Sequence, residues 1–218
     1  MKLKIFKLQL VSDKTIQGSA SQLRGFFATK FNDYQLLHQH DTDKFIYNYP
    51  RVQYKVICGD HVVIGINEGA EVLMEIKDYC DPIVLGGNRY NIVGQQFSLK
   101  ECELSITNKP LMYTFTTPWL ALNKNNYREF YACRNRDERS ELLSKTLTGN
   151  ILSLCKSFDY LVPDKITTVV NVKAGKIRLK TVNVMSFCGT FITNFNIPDL
   201  LGLGKSVSRG YGAVQRCN

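Results

Sequence analysis

No two cysteines in this sequence are spaced C-x-x-C, and the seven present (Cys58, Cys80, Cys102, Cys133, Cys155, Cys188, Cys217) are scattered and odd in number. That pattern argues against a disulfide framework and a zinc site, and reads as the reduced, buried thiols of a cytoplasmic protein. No apolar run approaches the roughly 18 residues that a membrane span needs. The opening Met-Lys-Leu-Lys-Ile-Phe-Lys alternates charged and apolar residues, which is a strand pattern rather than a signal peptide. Low-complexity segments are missing too. With 44% apolar residues in 218, the chain can bury a core and is long enough for one large domain or two small ones. Histidine is scarce, at three residues.

Two nucleotide-binding signatures are also absent, although one stretch invites them: Leu200-Leu-Gly-Leu-Gly-Lys-Ser-Val-Ser-Arg-Gly-Tyr-Gly-Ala-Val214. A Walker A loop needs glycine where Asp199 stands, and only twelve residues follow Ser206, too few for the helix and sheet still required. The dinucleotide fingerprint fails at Val207, which occupies the third glycine position. What remains is Gly202, Gly204, Gly210 and Gly212 around Lys205, Ser206, Ser208 and Arg209. Glycine lets backbone N–H groups approach an anion, and the side chains add charge and neutral donors. The stretch reads as an anion cradle, or as a glycine-rich turn before a last strand.

Acidic charge is short in one half only. Residues 1–108 carry 12 Lys+Arg against 12 Asp+Glu, whereas residues 109–218 carry 16 against 7, so the whole net charge of +9 lies in the half with the glycine stretch. This asymmetry favours a polyanionic partner held mainly by the second half. Arg134, Arg136 and Arg139 crowd a predicted helix start marked by Asn135 and Glu138, where the dipole disfavours cations. Phosphate would resolve the conflict, and so would pairing with Asp137 and Glu141.

Along the chain, Lys2–Val11 alternates as a half-buried strand, and Ile16, Ala20, Leu23, Phe27 and Phe31 recur at helical steps. Residues 32–50 lose all periodicity and read as a long polar loop. Strands follow at Arg51–Cys58 and His61–Asn67, joined by Gly59-Asp60, then a helix through Val72, Leu73, Ile76 and Cys80. Strand-like segments return around Pro82–Leu85, Tyr90–Leu99 and Cys102–Thr107. After Lys109-Pro110 the plan starts again. Leu111–Leu122 is strand-like, a long helix runs from about Asn135 to Phe158, and strands lie around Thr167–Lys173, Lys176–Val184, Ser186–Thr193 and Tyr211–Gln215. The expectation is an α+β protein of two tandem ferredoxin-like (βαββαβ) domains with antiparallel sheets, 1–108 and 109–218, the second looser.

Two of the three histidines, His38 and His40, fall in the polar loop, between Lys30 at the end of the first helix and Tyr47 and Tyr49 before Pro50. Imidazole titrates near neutral pH, so these groups suit proton transfer. Metal-free RNA cleavage needs a base for the ribose 2′-OH, an acid for the leaving 5′-oxygen, and a cation for the charge that builds on the phosphoryl oxygens. His38-x-His40 with Asp41 and Asp43 is open to a metal-site reading as well. His61 sits in a predicted strand and reads as structural.

Taken together, the paired ferredoxin-like pattern, the histidine loop after the first helix, and Gly-Leu-Gly-Lys-Ser-Val-Ser-Arg-Gly-Tyr-Gly-Ala-Val resemble the CRISPR-associated endoribonucleases that process precursor CRISPR RNA, within the repeat-associated mysterious protein superfamily. The resemblance in pattern covers nearly all of the chain. It implies cleavage within the CRISPR repeat without metal or other cofactor, leaving a 5′-hydroxyl and a cyclic or 3′-phosphate end. The general base maps onto His40 or His38, with Lys30 and Tyr47 as partners. RNA would be held by Gly202, Gly204, Lys205, Ser206, Arg209 and Gly210, with Arg134, Arg136, Arg139 and Tyr49. Homodimers and association with a CRISPR interference complex occur in the superfamily. So do members that bind RNA without cutting it, as backbone subunits of interference complexes, and that alternative stays open here.

Overall fold

The computed structural model describes residues 1–38, 49–79, 81–179 and 181–217. The chain divides into two compact units. One comprises Lys2–Cys102 together with Val207–Gly210; the other comprises Met1, Glu103–Ser206 and Tyr211–Asn218. Lys109-Pro110 falls inside a strand, at a break in register between Ile106 and Leu111.

The first unit begins with β1 (Lys2–Ser12), whose alternation buries Leu8 and Leu10 on one face and Leu3 and Ile5 on the other. A capping box then starts α1 (Ala20–Lys30). Ser19 Oγ accepts from the Gln22 N–H at 3.2 Å, and Gln22 Oε1 accepts from the Ser19 N–H at 2.8 Å. Such a cap is worth about 1 kcal/mol. The helix buries Ala20, Leu23 and Phe27. A short helix, α2 (Gln35–His38), follows inside the segment expected to be loop.

Next come β2 (Val52–Ile57) and β3 (Asp60–Ile66). Their turn is Cys58-Gly59, both at positive φ (51° and 91°), as a two-residue type I′ hairpin needs. The expected turn at Gly59-Asp60 is therefore off by one, because Asp60 already pairs with Ile57. The unit continues through α3 (Glu68–Ile76), the small hairpin β4 (Ile83–Leu85) and β5 (Asn88–Tyr90), and β6 (Ile92–Glu103). Its main sheet runs β2-β3-β1-β6, the ferredoxin-like order. Phe6, Leu8, Leu23, Phe27, Tyr54 and Leu73 lie in its core.

The second unit runs β7 (Ser105–Phe115), α4 (Lys124–Ala132), α5 (Arg136–Lys156), β8 (Thr168–Leu179), β9 (Val182–Asn196) and β10 (Val214–Arg216). Its sheet order, β10-β7-β9-β8, repeats the ferredoxin-like arrangement. Between β9 and β10, where that plan has its second helix, the chain instead carries the glycine stretch. Three further expectations are corrected here. The strands expected at 167–173, 176–184 and 186–193 are two long ones, paired continuously from Thr168↔Thr193 to Leu179↔Val182. α4 was not expected. Of the described cysteines only Cys155 is buried, which pushes its thiol up to about 11, while Cys58 and Cys188 are exposed.

Trp119 anchors this core. It is fully buried, stacks on Phe115 at 5.1 Å, and donates its indole N–H to Asn150 Oδ1 at 3.0 Å. Among the described residues no helix is long and apolar enough to cross a membrane.

Candidate active site

The glycine stretch is a tightly bonded loop. The N–H groups of Leu203, Lys205, Gly210 and Gly212 donate to the carbonyls of Gly212, Leu120, Val207 and Pro118, at 2.9–3.1 Å. Its glycines serve close packing. A Cβ on Gly204 would stand 2.7 Å from Trp119 Nε1, and one on Gly212 would stand 2.0 Å from the Leu203 carbonyl oxygen. Gly202 is buried and bridges Ala213. The expected cradle of outward N–H groups is therefore corrected at Leu203, Lys205, Gly210 and Gly212, whose donors are spent on the protein itself.

What the loop presents instead is its tip. Val207–Arg209 forms one 3-10 turn, and Val207–Gly210 belongs to the first unit. Val207 is buried there, and Gly210 (φ 96°) lies so close to α1 and β2 that a Cβ would stand 2.6 Å from Ala20 Cβ and 3.1 Å from the Tyr54 carbonyl oxygen. Only glycine fits this conformation and this gap.

The seated tip gathers a cluster within the first unit. Arg209 acts electrostatically on Arg24 of α1, which is partly buried. Burial first, and then the Arg209 charge, hold the Arg24 guanidinium below its ordinary range. Arg24 Nη2 donates to the His38 carbonyl at the end of α2, while its Nε is buried without an acceptor. Beside it the Tyr54 hydroxyl is buried and unpartnered, and burial raises its pKa well above the ordinary phenol value. His38 Nε2 is likewise buried without a partner. Among the described residues no carboxylate pairs with Arg24 or Arg209. Two guanidiniums thus repel each other beside a phenol and the His38 carbonyl, with unused donors. An anion at this place would relieve the repulsion and accept from the donors.

The other sequence-selected residues are distributed as follows. Lys30 lies at 3.7 Å from Asp81 Oδ2 and 5.0 Å from the centre of the Tyr79 ring, both exposed contacts that do not involve His38. His40 and Tyr47, with Asp41 and Asp43, lie outside the described residues. Tyr49, partly buried, is the first described residue after them. Lys205 is exposed and Ser206 takes a positive φ of 56°. His61 is buried with Nε2 at 3.1 Å from the Gly18 carbonyl, a packing role.

In the second unit, Asn135 caps α5 by accepting from the Glu138 N–H at 2.9 Å, and Glu138 accepts from the Arg134 N–H at 2.7 Å. Glu141 pairs with Lys145 rather than with an arginine. Arg139 lies over the Phe130 ring at 5.3 Å, and Arg136 and Arg139 line an open cleft with Ser140 and Asn171.

Sequence reasoning missed Arg24, Tyr54 and Lys55. Arg24 sits one residue past the apolar stripe position Leu23, where a charged residue reads as solvated. Lys55 lies in a strand whose first four residues are all buried, so alternation gave no warning that its ammonium is fully buried and unpartnered.

Residues 1–103 match the model of the Cas6b N-terminal domain, and residues 105–217 that of the Cas6b C-terminal domain. A crystal structure of Cas6b is 32% identical with a TM-score of 0.91, covering all of both chains. Another, of a CRISPR RNA processing endoribonuclease Cas6b, is 31% identical with a TM-score of 0.79, again over both whole chains. An uncharacterised protein of Methanocaldococcus jannaschii is 36% identical over 147 residues, 67% of this chain and 97% of that one. With both halves matched to their respective domains, the chain belongs to the Cas6b family.

Proposed function

We propose that this chain is an endoribonuclease that processes CRISPR RNA, cutting within the repeat by metal-independent acid–base catalysis. Support comes from its family and from one observation above the rest: the Arg24–Arg209 pair, with no carboxylate partner among the described residues, beside the His38 carbonyl and Tyr54. In this reading a phosphate at the cut site lies against the two guanidiniums, which stabilise the charge that grows on its non-bridging oxygens. A base removes the 2′-OH proton, the 2′-oxygen attacks phosphorus, and an acid protonates the departing 5′-oxygen. The products are a 2′,3′-cyclic phosphate and a 5′-hydroxyl.

The proton carriers are assigned to His40, with His38 and Tyr47. Arg24, through the His38 carbonyl, is a positioning residue for the end of α2 as well as a phosphate ligand. Lys30 is an auxiliary cation, because an exposed ion pair such as the one with Asp81 is worth only about 0–1 kcal/mol and is easily exchanged for phosphate. Gly204 and Gly210 set the loop that carries Lys205, Ser206 and Arg209 to the RNA backbone.

The test is single-turnover cleavage of a CRISPR repeat RNA in EDTA. The wild-type protein should cut and leave a cyclic phosphate. His40→Ala should slow cutting at least about a hundredfold while binding persists. Binding without cutting would instead assign the chain to the RNA-binding subunits, and cleavage only on adding Mg²⁺ would overturn the acid–base scheme.

A further inference from the structure

α4 is built inside out. Its inward side carries Phe130, which packs on Phe187 at 5.5 Å, and Asn126, whose Nδ2 donates to Thr146 Oγ1 of α5 at 3.3 Å. Lys124, Tyr127, Arg128 and Tyr131 follow at steps of three and four, so they share the other face. Tyr127 and Tyr131 are 45% and 56% exposed. Their ring centres are 4.8 Å apart, and Tyr131 also meets Phe130 edge-on at 6.0 Å, so the exposed pair is held from beneath by the core. Packing holds the rings in place yet leaves both tyrosines open to solvent, on a helix that the ferredoxin-like plan does not require. The cations beside them, Lys124 and Arg128 on the same face and Arg134 just past the helix end, have no ion-pair partner among the described residues.

We propose that this outward face of α4 is a second RNA subsite, where Tyr127 and Tyr131 stack single-stranded bases and Lys124, Arg128 and Arg134 hold the adjoining phosphates. The proposal rests on the chain being an RNA-binding protein, as read above. Aromatic rings stack on any base, while unpaired cations on the same face follow the backbone, so the occupant is single-stranded RNA outside the cleavage position. Held by Phe130 and by each other, the rings lose little freedom on binding.

The experiment reads binding alone. A fluorescein-labelled oligoadenylate of about 20 nucleotides, titrated by anisotropy, should bind the Tyr127→Ala/Tyr131→Ala variant about tenfold or more weakly. The Tyr127→Phe/Tyr131→Phe variant should bind within about twofold of wild type, because stacking needs the ring and not the hydroxyl. A 2-aminopurine in the same oligomer should be quenched by wild type and the Phe variant only. Arg128→Gln, which leaves the ring pair intact, should lower the salt slope by about 0.7. Wild-type affinity in the Ala variant, or an equal loss in the Phe variant, would overturn the proposal. So would a change in self-association or protein binding with unchanged RNA affinity, which would make this a protein-docking face. A wild-type protein that shows this binding pattern yet cuts no repeat RNA would overturn the proposed activity and leave the subsite standing.

Discussion

Replacing Gly210 by alanine tests how the loop tip is held and what it is held for. At φ 96° an L-residue is strained by about 1–3 kcal/mol. The new methyl would stand 2.6 Å from Ala20 Cβ and 3.1 Å from the Tyr54 carbonyl oxygen. Those neighbours are the capped start of α1 and the backbone of β2, neither of which can swing aside, so crowding adds about 1–3 kcal/mol. The total, about 2–6 kcal/mol, competes with what seats the tip. Burial of Val207 contributes about 1.5–3 kcal/mol and the remaining contacts little more. Strain therefore matches or exceeds the seating energy, and the tip lifts instead of the unit unfolding. The stability loss should be capped at about 2–4 kcal/mol, while Arg209 leaves Arg24 and repeat-RNA cleavage collapses. Denaturant melts, amide exchange at 207–210 and single-turnover cleavage measure the three consequences. Gly25→Ala is the matched control, since a Cβ there meets nothing within 4 Å in the middle of α1. It should stabilise by about 0.5–1 kcal/mol and leave cleavage untouched. A Gly210→Ala protein that melts, exchanges and cuts like wild type would refute the reasoning.

Two further outcomes follow from single side chains. Burial lowers the Lys55 ammonium from 10.5 to about 7. Below about pH 7 both folded and unfolded chains carry the proton, and the burial cost is present in full. Between there and 10.5 only the unfolded chain binds it, so stability rises with pH. Lys55→Met should abolish that rise and stabilise the protein at about pH 6 by up to on the order of 4 kcal/mol, read from urea unfolding at acid and alkaline pH. A wild-type stability that stays flat over this window would contradict the assignment. Arg209→Ala should weaken repeat-RNA binding and lower its salt slope by about 0.7, whereas an unchanged slope would remove Arg209 from the phosphate contacts.

The fold was legible wherever a local pattern and its tertiary use agreed. The alternation of β1, the stripe of α1, and the Asn135–Glu138 start of α5 needed nothing from elsewhere in the chain. α2 was missed because four residues make barely one turn and carry no period. α4 was missed because its aromatics face outward and only Phe130 is buried, which inverts the stripe that marks a helix. The break expected near Ala174-Gly175 is overridden by pairing, since Gly175 sits opposite Ser186 within a continuous ladder. At the site, Arg209 stood out by its glycines and His38 by the rarity of histidine. Arg24 and Tyr54 carried no such mark. They join Arg209 only through tertiary packing, across more than 150 residues of sequence.

The role of the glycines changes accordingly. A phosphate cradle needs free amides, and four of the loop's amides, those of Leu203, Lys205, Gly210 and Gly212, are used on Gly212, Leu120, Val207 and Pro118. A helix in this position would also have satisfied its own backbone, yet its side chains would be spread around a cylinder some 10 Å across. Here a loop with glycines at its three tightest points, in place of that helix, brings Arg209 near Arg24 of α1. Gly204 clears Trp119, Gly212 clears Leu203, and Gly210 lets the tip lie against α1 and β2. In the proposed reading, the charge on the RNA then falls to side chains, Arg209 with Arg24, rather than to these amides. This divides the labour by residue type. Glycine determines where the loop goes, and arginine determines what it can hold.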